Sequence, residues 1–168
     1  CIKQVLEPIY EARFHKHSYG FRPNRSAHHA VARAMFLVNI SKYRYVVDVD
    51  IKGFFDNVDH GKLLKQLWTL GIQDKRLLCV LSKMLKAPIQ GEGVPQKGVP
   101  QGGILSPLLS NVVLNELDWW IASQWEAFPT KTNYTHEVSR YQNLRRTSHM
   151  KEVFIVRYAD DFKPVSYT

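Results

Sequence analysis

A chain of 168 residues, 45% of them hydrophobic and 12% aromatic, can build one ordinary core and has little to spare for a second, so one compact unit with an appendage is expected. Lys plus Arg number 23 against 15 Asp plus Glu, a net charge of +8 that favours a polyanionic partner, nucleic acid ahead of an acidic membrane surface. No apolar run approaches the roughly 20 residues that span a bilayer, the N-terminus lacks the order of a signal peptide, and Cys1 and Cys79 alone support neither a disulfide framework nor a zinc site.

Residues 27–38 carry Ala27, Ala30, Val31, Ala34, Met35 and Val38 on one face behind Ser26 as N-cap, which predicts a helix. The stretch "YRYVVDVDI", residues 43–51, alternates so that Val47, Val49 and Ile51 share one face and Val46, Asp48 and Asp50 the other, the pattern of a strand with carboxylates at its exit. Residues 62–70 read as a helix stopped by Gly71, and Asp74 caps a second that runs through Lys86. Residues 91–103, "GEGVPQKGVPQGG", predict turns and a short strand. Ser106 and Pro107 then read as N-cap and first helical residue of a helix with Leu109, Val112, Val113, Leu117 and Trp120 on one side. Residues 130–151 lose periodicity and hold Lys131, Arg140, Arg145, Arg146 and Lys151 against Glu137 alone, a basic, mobile insertion. A strand over 153–158 ends at the turn that carries Asp160 and Asp161. Helices mixed with short strands, without regular alternation, predict an α+β fold.

Two adjacent carboxylates repel, and a solvated turn is the plain explanation for such a pair. A divalent-metal site is the other. Asp50 stands 110 residues before Asp160, also at the end of a strand, and carboxylates meeting there would suit two Mg²⁺ ions roughly 3.5 to 4 Å apart. Asp48 reads as a solvent-facing strand residue, Asp56 and Asp59 as turn and cap residues for a helix beginning near His60, and Trp119, Trp120 and Trp125 as packing residues.

Four stretches occur in one order: "SYGFRPNRSAHHAV" at 18–31, "DIKGFFDNVDH" at 50–60, "GVPQGGILSPL" at 98–108 and "RYADDF" at 157–162. Together they resemble the reverse transcriptases of group II introns, proteins that also act as maturases, over residues 15–163. The resemblance implies a right-hand palm with partial fingers, an antiparallel sheet packed on helices: 1–42 on the fingers side, 43–168 mainly palm, and 125–152 as the basic insertion. It implies RNA-directed DNA synthesis with Asp50, Asp160 and Asp161 as catalytic, metal-binding residues, joined by the backbone carbonyl of Ile51. Two Mg²⁺ ions are the implied cofactors, with Mn²⁺ as a substitute. For the incoming dNTP the resemblance points to Phe55 beneath the sugar, with Phe54 as the neighbour it could be confused with, to Gln101 near the templating pair, and to Arg22 and Lys52 on phosphate. Arg140, Arg145, Arg146 and Lys151 are the candidates for RNA contact. The implied partners are intron RNA as template, a DNA primer or target, and dNTPs, with no membrane and with a homodimer left open. The compartment is expected to be the cytoplasm of a bacterium, with an organelle as the alternative. A second reading keeps the RNA binding and drops the polymerase: a splicing cofactor that clamps intron RNA. Retron-type relatives are a further branch. The family's first blocks would precede Cys1, and its primer-gripping segment and thumb would follow "KPVSYT", where Pro164 breaks a sheet ladder, so the chain is expected to be a piece of a longer protein.

Overall fold

The computed structural model describes residues 1–89, 91 and 93–166. Glu92, within the predicted turn-rich stretch, and Tyr167 and Thr168 of the C-terminal "KPVSYT" lie outside the described residues. The chain opens with α1 (Ile2–Glu11), which sequence patterning did not anticipate because Pro8 interrupts it. Leu6 and Tyr10, one turn apart, are both fully buried, and that spacing holds the helix in place despite the missing donor. Next come α2 (Ala27–Met35), a π-turn over Phe36–Ile40 and β1 (Tyr45–Val46). A short 3₁₀ turn (Phe55–Asn57) leads into α3 (His60–Thr69), α4 (Lys75–Leu85), α5 (Ser106–Ser123) and α6 (Glu137–Thr147). The chain ends in β2 (Val153–Phe154), β3 (Arg157–Tyr158), β4 (Asp161–Phe162) and β5 (Val165–Ser166).

The expected caps hold where a side chain can reach. Asp59 accepts from the Lys62 amide at 2.7 Å and Asp74 from the Arg76 amide at 2.8 Å. Ser106 is not the cap but the first residue of α5, and its hydroxyl instead donates to the Pro100 carbonyl at 2.5 Å. Only part of the predicted apolar face of α2 turns inward: Ala30 and, beyond it, Leu37 are buried, while Val31, Met35 and Val38 are exposed. A π-turn closed by the Ser41 amide on the Phe36 carbonyl shifts the phase there, which periodicity at 3.6 residues cannot foresee. The insertion is also more ordered than its sequence pattern predicts. Leu144 of α6 is buried, and Tyr141 stacks on the fully buried Trp125 with centroids 5.9 Å apart. Trp119 and Trp120, in contrast, are 46% and 61% exposed, so only Trp125 serves as a core residue.

β2 through β5 form one antiparallel hairpin of constant register, pairing Phe154 with Val165, Arg157 with Phe162 and Tyr158 with Asp161 around the two-residue turn Ala159–Asp160. Ala159 has φ +58, a value that hairpin turns of this length normally assign to glycine. β1 lies along the other side of β5, Tyr45 opposite Ser166 and Val46 opposite Val165, and the same register continues to a bridge between Val49 and Phe162. Pro164 therefore does not end the strand. Its carbonyl accepts from Val47, and the ladder forgoes only the bond that its missing N–H would have donated. The predicted strand over 43–51 survives as this edge, with Tyr45, Val46, Val47 and Val49 all exposed rather than one face buried.

Alternation along the hairpin divides it between two cores. Ile155 and Phe162 face the core built by α1, α3, α4 and α5, and Phe154, Val156 and Val165 face a second one with α2 and α6. The architecture is α+β, a small antiparallel sheet between helices. Among the described residues no helix is long and apolar enough to cross a membrane.

Beside the second core, His17 and Glu126 are nearly buried, with Glu126 Oε1 3.0 Å from Arg33 and 3.5 Å from His17 Nε2. Burial, reinforced by Arg33 and Lys16, brings the His17 pKa down to about 2, so this contact is not an ion pair. Burial, with Lys16 and Arg157, also lowers that of His15 to about 4. Below about pH 6.5 the unfolded chain takes up protons on both imidazoles that the folded chain refuses, so stability is full above that pH and falls on acidification towards pH 4. Burial raises the Glu126 pKa and opposes this slope in part. Each imidazole held neutral lowers stability by up to about 1.4 kcal/mol per pH unit on acidification, and the urea midpoint is expected to fall from pH 7 through 6 to 5. Equal midpoints would mean that these histidines are not held neutral.

Candidate active site

The bridge between Val49 and Phe162 is a mutual pair of hydrogen bonds, each 3.0 Å. Carried one residue on, the register sets Asp50 across from Asp161 in a non-hydrogen-bonded position, where opposed Cα atoms of antiparallel strands lie about 4.5 Å apart. One residue back it sets Asp48 across from Lys163, whose Nζ is 2.6 Å from Asp48 Oδ1. That bond holds the Lys163 pKa above its ordinary value. Alternation puts Asp48, Asp50, Asp161 and Lys163 on one face, with Asp160 next to Asp161 on the turn. Asp50 and Asp161 are exposed and Asp160 is half-buried. The fold thus joins the two distant carboxylate segments. Asp48 is solvent-facing as expected, but paired.

Arg157 underlies this hairpin, and sequence patterning does not single it out. It is fully buried and grips Asp118 of α5 through Nε to Oδ1 at 2.8 Å and Nη2 to Oδ2 at 2.7 Å. Nη1 donates to Asn111 Oδ1 at 2.9 Å and to the Ala159 carbonyl at 2.6 Å, and Nη2 also reaches Ser18 Oγ at 2.6 Å. The strained turn is therefore tied directly to α5. Gly20 closes the same corner: a Cβ there would stand 2.1 Å from the Ala159 nitrogen, so no other residue lets 18–20 lie on the hairpin. An arginine directly after the apolar run Phe154, Ile155 and Val156 is the available signal in the sequence.

Phe54 and Phe55 separate cleanly. Phe54 is in the core at 7% exposure, and Phe55 stands half-buried above it in an edge contact at 5.3 Å. Gln101 and Lys52 are exposed. Gln101 Nε2 is 3.5 Å from Asp56 Oδ1. Ile51 is partly buried against the first core. Arg22 is not placed for phosphate: it is buried, and it donates from Nε to Glu11 at 2.5 and 3.0 Å and from Nη1 to the carbonyls of His15 and Ser18. Its guanidinium organises the 15–22 loop. The four basic candidates in the insertion also divide. Arg140 donates to the Glu126 carbonyl and Arg145 holds Glu152 through two bonds of 2.5 and 2.8 Å, while Arg146 and Lys151 are exposed.

The donor set at the ladder end is hard carboxylate oxygen, which suits Mg²⁺. Among the described residues no three potential ligand side chains already converge on one point. Such an ion commonly takes one or two carboxylates and completes its shell with water and substrate phosphate, so Asp50, Asp161 and Asp160 fit that use without a finished protein cage.

Residues 1–166 match the family model described as reverse transcriptase (RNA-dependent DNA polymerase). The chain is 36% identical to Protein YkfC of Escherichia coli, over 94% of this chain and 44% of that protein. It is 38% identical to the group II intron-encoded protein LtrA of Lactococcus lactis, over 89% of this chain and 25% of that one. It is 28% identical to the mitochondrial nuclear intron maturase 2 of Arabidopsis thaliana, over 77% and 23%. The chain thus spans less than half the length of these relatives. Among solved structures it is similar to a chain of a partial Cas6-RT-Cas1–Cas2 complex, with a TM-score of 0.37 and 24% identity over 89% of this chain and 22% of that one.

Proposed function

Because the chain belongs to the reverse transcriptase (RNA-dependent DNA polymerase) family, we propose that it forms the palm and part of the fingers of an enzyme that extends a DNA primer on an RNA template. Residues 1–42 lie on the fingers side, 43–168 make most of the palm, and 125–152 are an insertion. The observation that carries this reading is the bridge between Val49 and Phe162, whose register carried one residue on sets Asp50 across from Asp161, next to Asp160. Two Mg²⁺ ions, when bound, supply activation of the attacking hydroxyl and charge neutralisation on the leaving phosphate. The chain's own part is to hold and orient. Asp50, Asp160 and Asp161 offer oxygen ligands on one rigid ladder, with the Ile51 carbonyl next in line. Phe55 sets a ring where the incoming sugar lies, so that a 2′-hydroxyl meets it and a deoxyribose does not. Gln101 borders the templating pair, and Lys52, exposed two residues after Asp50, takes triphosphate charge. No side chain here needs to form a covalent bond to substrate, and catalysis is a matter of position and charge.

The intron branch follows from the similarity to the group II intron-encoded protein and the intron maturase. Intron RNA is then both template and binding partner, and Arg146 and Lys151 are exposed cations of the insertion that would reach its phosphates. The second reading, an RNA-binding splicing cofactor without synthesis, rests on that basic insertion. The deciding experiment is primer extension on an RNA template with dNTPs and Mg²⁺, comparing this chain, its Asp160→Ala variant and a version lengthened to include a thumb. Metal-dependent DNA product that disappears with Asp160→Ala is expected. Normal synthesis by that variant would end the assignment, and silence throughout with salt-sensitive RNA binding retained would favour the splicing cofactor.

A further inference from the structure

His60 is the first residue of α3, 4% exposed, and its Nε2 lies 2.7 Å from the carbonyl oxygen of Gly98. A carbonyl only accepts, so the imidazole proton resides on Nε2. Nδ1 is buried and has no hydrogen-bond partner among the described residues. Leaving that nitrogen unpaired costs free energy that an apolar side chain of similar size would not incur. Packing alone therefore does not account for a histidine here, and the bond to Gly98 is what the residue adds.

That bond closes a clamp between two loops. The Gly98 amide donates to the Val58 carbonyl and the Val99 amide to the Phe55 carbonyl, each at 2.7 Å. Gly98 has φ +92, and a Cβ on it would come within 3.1 Å of the Asp56 carbonyl oxygen and 3.2 Å of that of Phe55. Lys97 Nζ meets Asn57 Oδ1 at 2.6 Å on one flank, and Gln101 meets Asp56 on the other. The backbone of Phe55 is thus fixed by 97–101, and 97–101 is fixed from beneath by His60.

We infer that His60 is a positioning residue which, through the Gly98 carbonyl, sets the height of the Phe55 ring and thereby the preference for deoxyribonucleotides over ribonucleotides. The inference rests on the polymerase reading. His60 touches no substrate. It acts by denying the Phe55 loop the small displacement that would make room for a 2′-hydroxyl.

His60→Leu removes the donor and keeps the volume, and His60→Gln keeps an amide N–H that can reach Gly98. Amide hydrogen exchange in both variants reads the clamp, with Gly98 and Val99 compared against Leu63 and Leu67 inside α3. Primer extension reads selectivity as the ratio of kcat/KM for dNTP over rNTP. In His60→Leu, exchange at Gly98 and Val99 is expected to rise about tenfold with α3 unchanged, and the dNTP/rNTP ratio to fall about tenfold, chiefly through a gain in kcat/KM for rNTP. His60→Gln should restore both. Exchange that rises evenly along α3, or kcat that falls with the ratio unchanged, would reduce His60 to a stability residue and overturn the inference. A version lengthened to include a thumb that is as silent as its Asp160→Ala counterpart in extension would instead refute the polymerase reading, and the selectivity role with it, while exchange still judges the clamp.

Discussion

Arg157→Met should cost the fold about 3 to 5 kcal/mol, because it leaves the Asp118 carboxylate buried with no opposing charge. Both side chains are fully buried, so water cannot replace the lost guanidinium. The Ala159 carbonyl, Asn111 Oδ1 and Ser18 Oγ lose a donor at the same time. Most of this is the penalty for orphaning a partner rather than the net worth of the pair. A double variant, Arg157→Met with Asp118→Leu, should therefore recover most of the lost stability. It should not recover synthesis, since the Ala159 carbonyl stays undonated and the turn beside Asp160 stays loose. Urea unfolding of the three proteins gives the energies and primer extension the activity. A single variant as stable as the wild type would show that Arg157 is no keystone.

Asp161→Asn and Asp50→Asn should act in the opposite sense. Each should abolish extension, by about a thousandfold or more, because the amide cannot serve as an anionic oxygen ligand where charge must be neutralised. Neither should destabilise the fold. Both positions are exposed, and the register opposes two like charges across the ladder, an arrangement unfavourable by about 0.2 to 1 kcal/mol. Removing one charge should thus leave the thermal midpoint unchanged or slightly higher while activity disappears. Unfolding of either variant alongside its inactivity would indicate a structural carboxylate instead. Retained synthesis would remove the residue from the site.

Much of this site was legible in the sequence because its residues are adjacent or sit on regular elements. The carboxylates announce themselves at strand ends, and the caps Asp59 and Asp74 obey local rules that burial does not change. What patterning could not supply is which face the fold covers. The valines of β1 alternate as a half-buried strand should, yet they lie on an exposed edge, since burial depends on what packs above them. Arg22 and Arg145 look like free cations in a basic chain, and only tertiary contacts with Glu11 and Glu152 reveal them as structural. α6 escapes patterning because polar residues dominate its composition and Leu144 alone of its residues is buried. Arg157 shows the same limit in reverse: the motif draws the eye to its aspartates, while its arginine is the anchor.

The single register running from Val153 to Ser166 limits how the gene can change. A substitution in this hairpin alters one contact, but a codon gained or lost within it inverts every later side chain, sending Asp161 and Lys163 inward and Phe162 into water. β1 reads the same ladder and would lose its match to Asp50 in the same event. The stretch between Phe128 and α6, largely exposed and outside both cores, carries no such penalty. Descent with insertion and deletion is therefore open to the loop and closed to the hairpin, which can drift in letters while its length stays frozen.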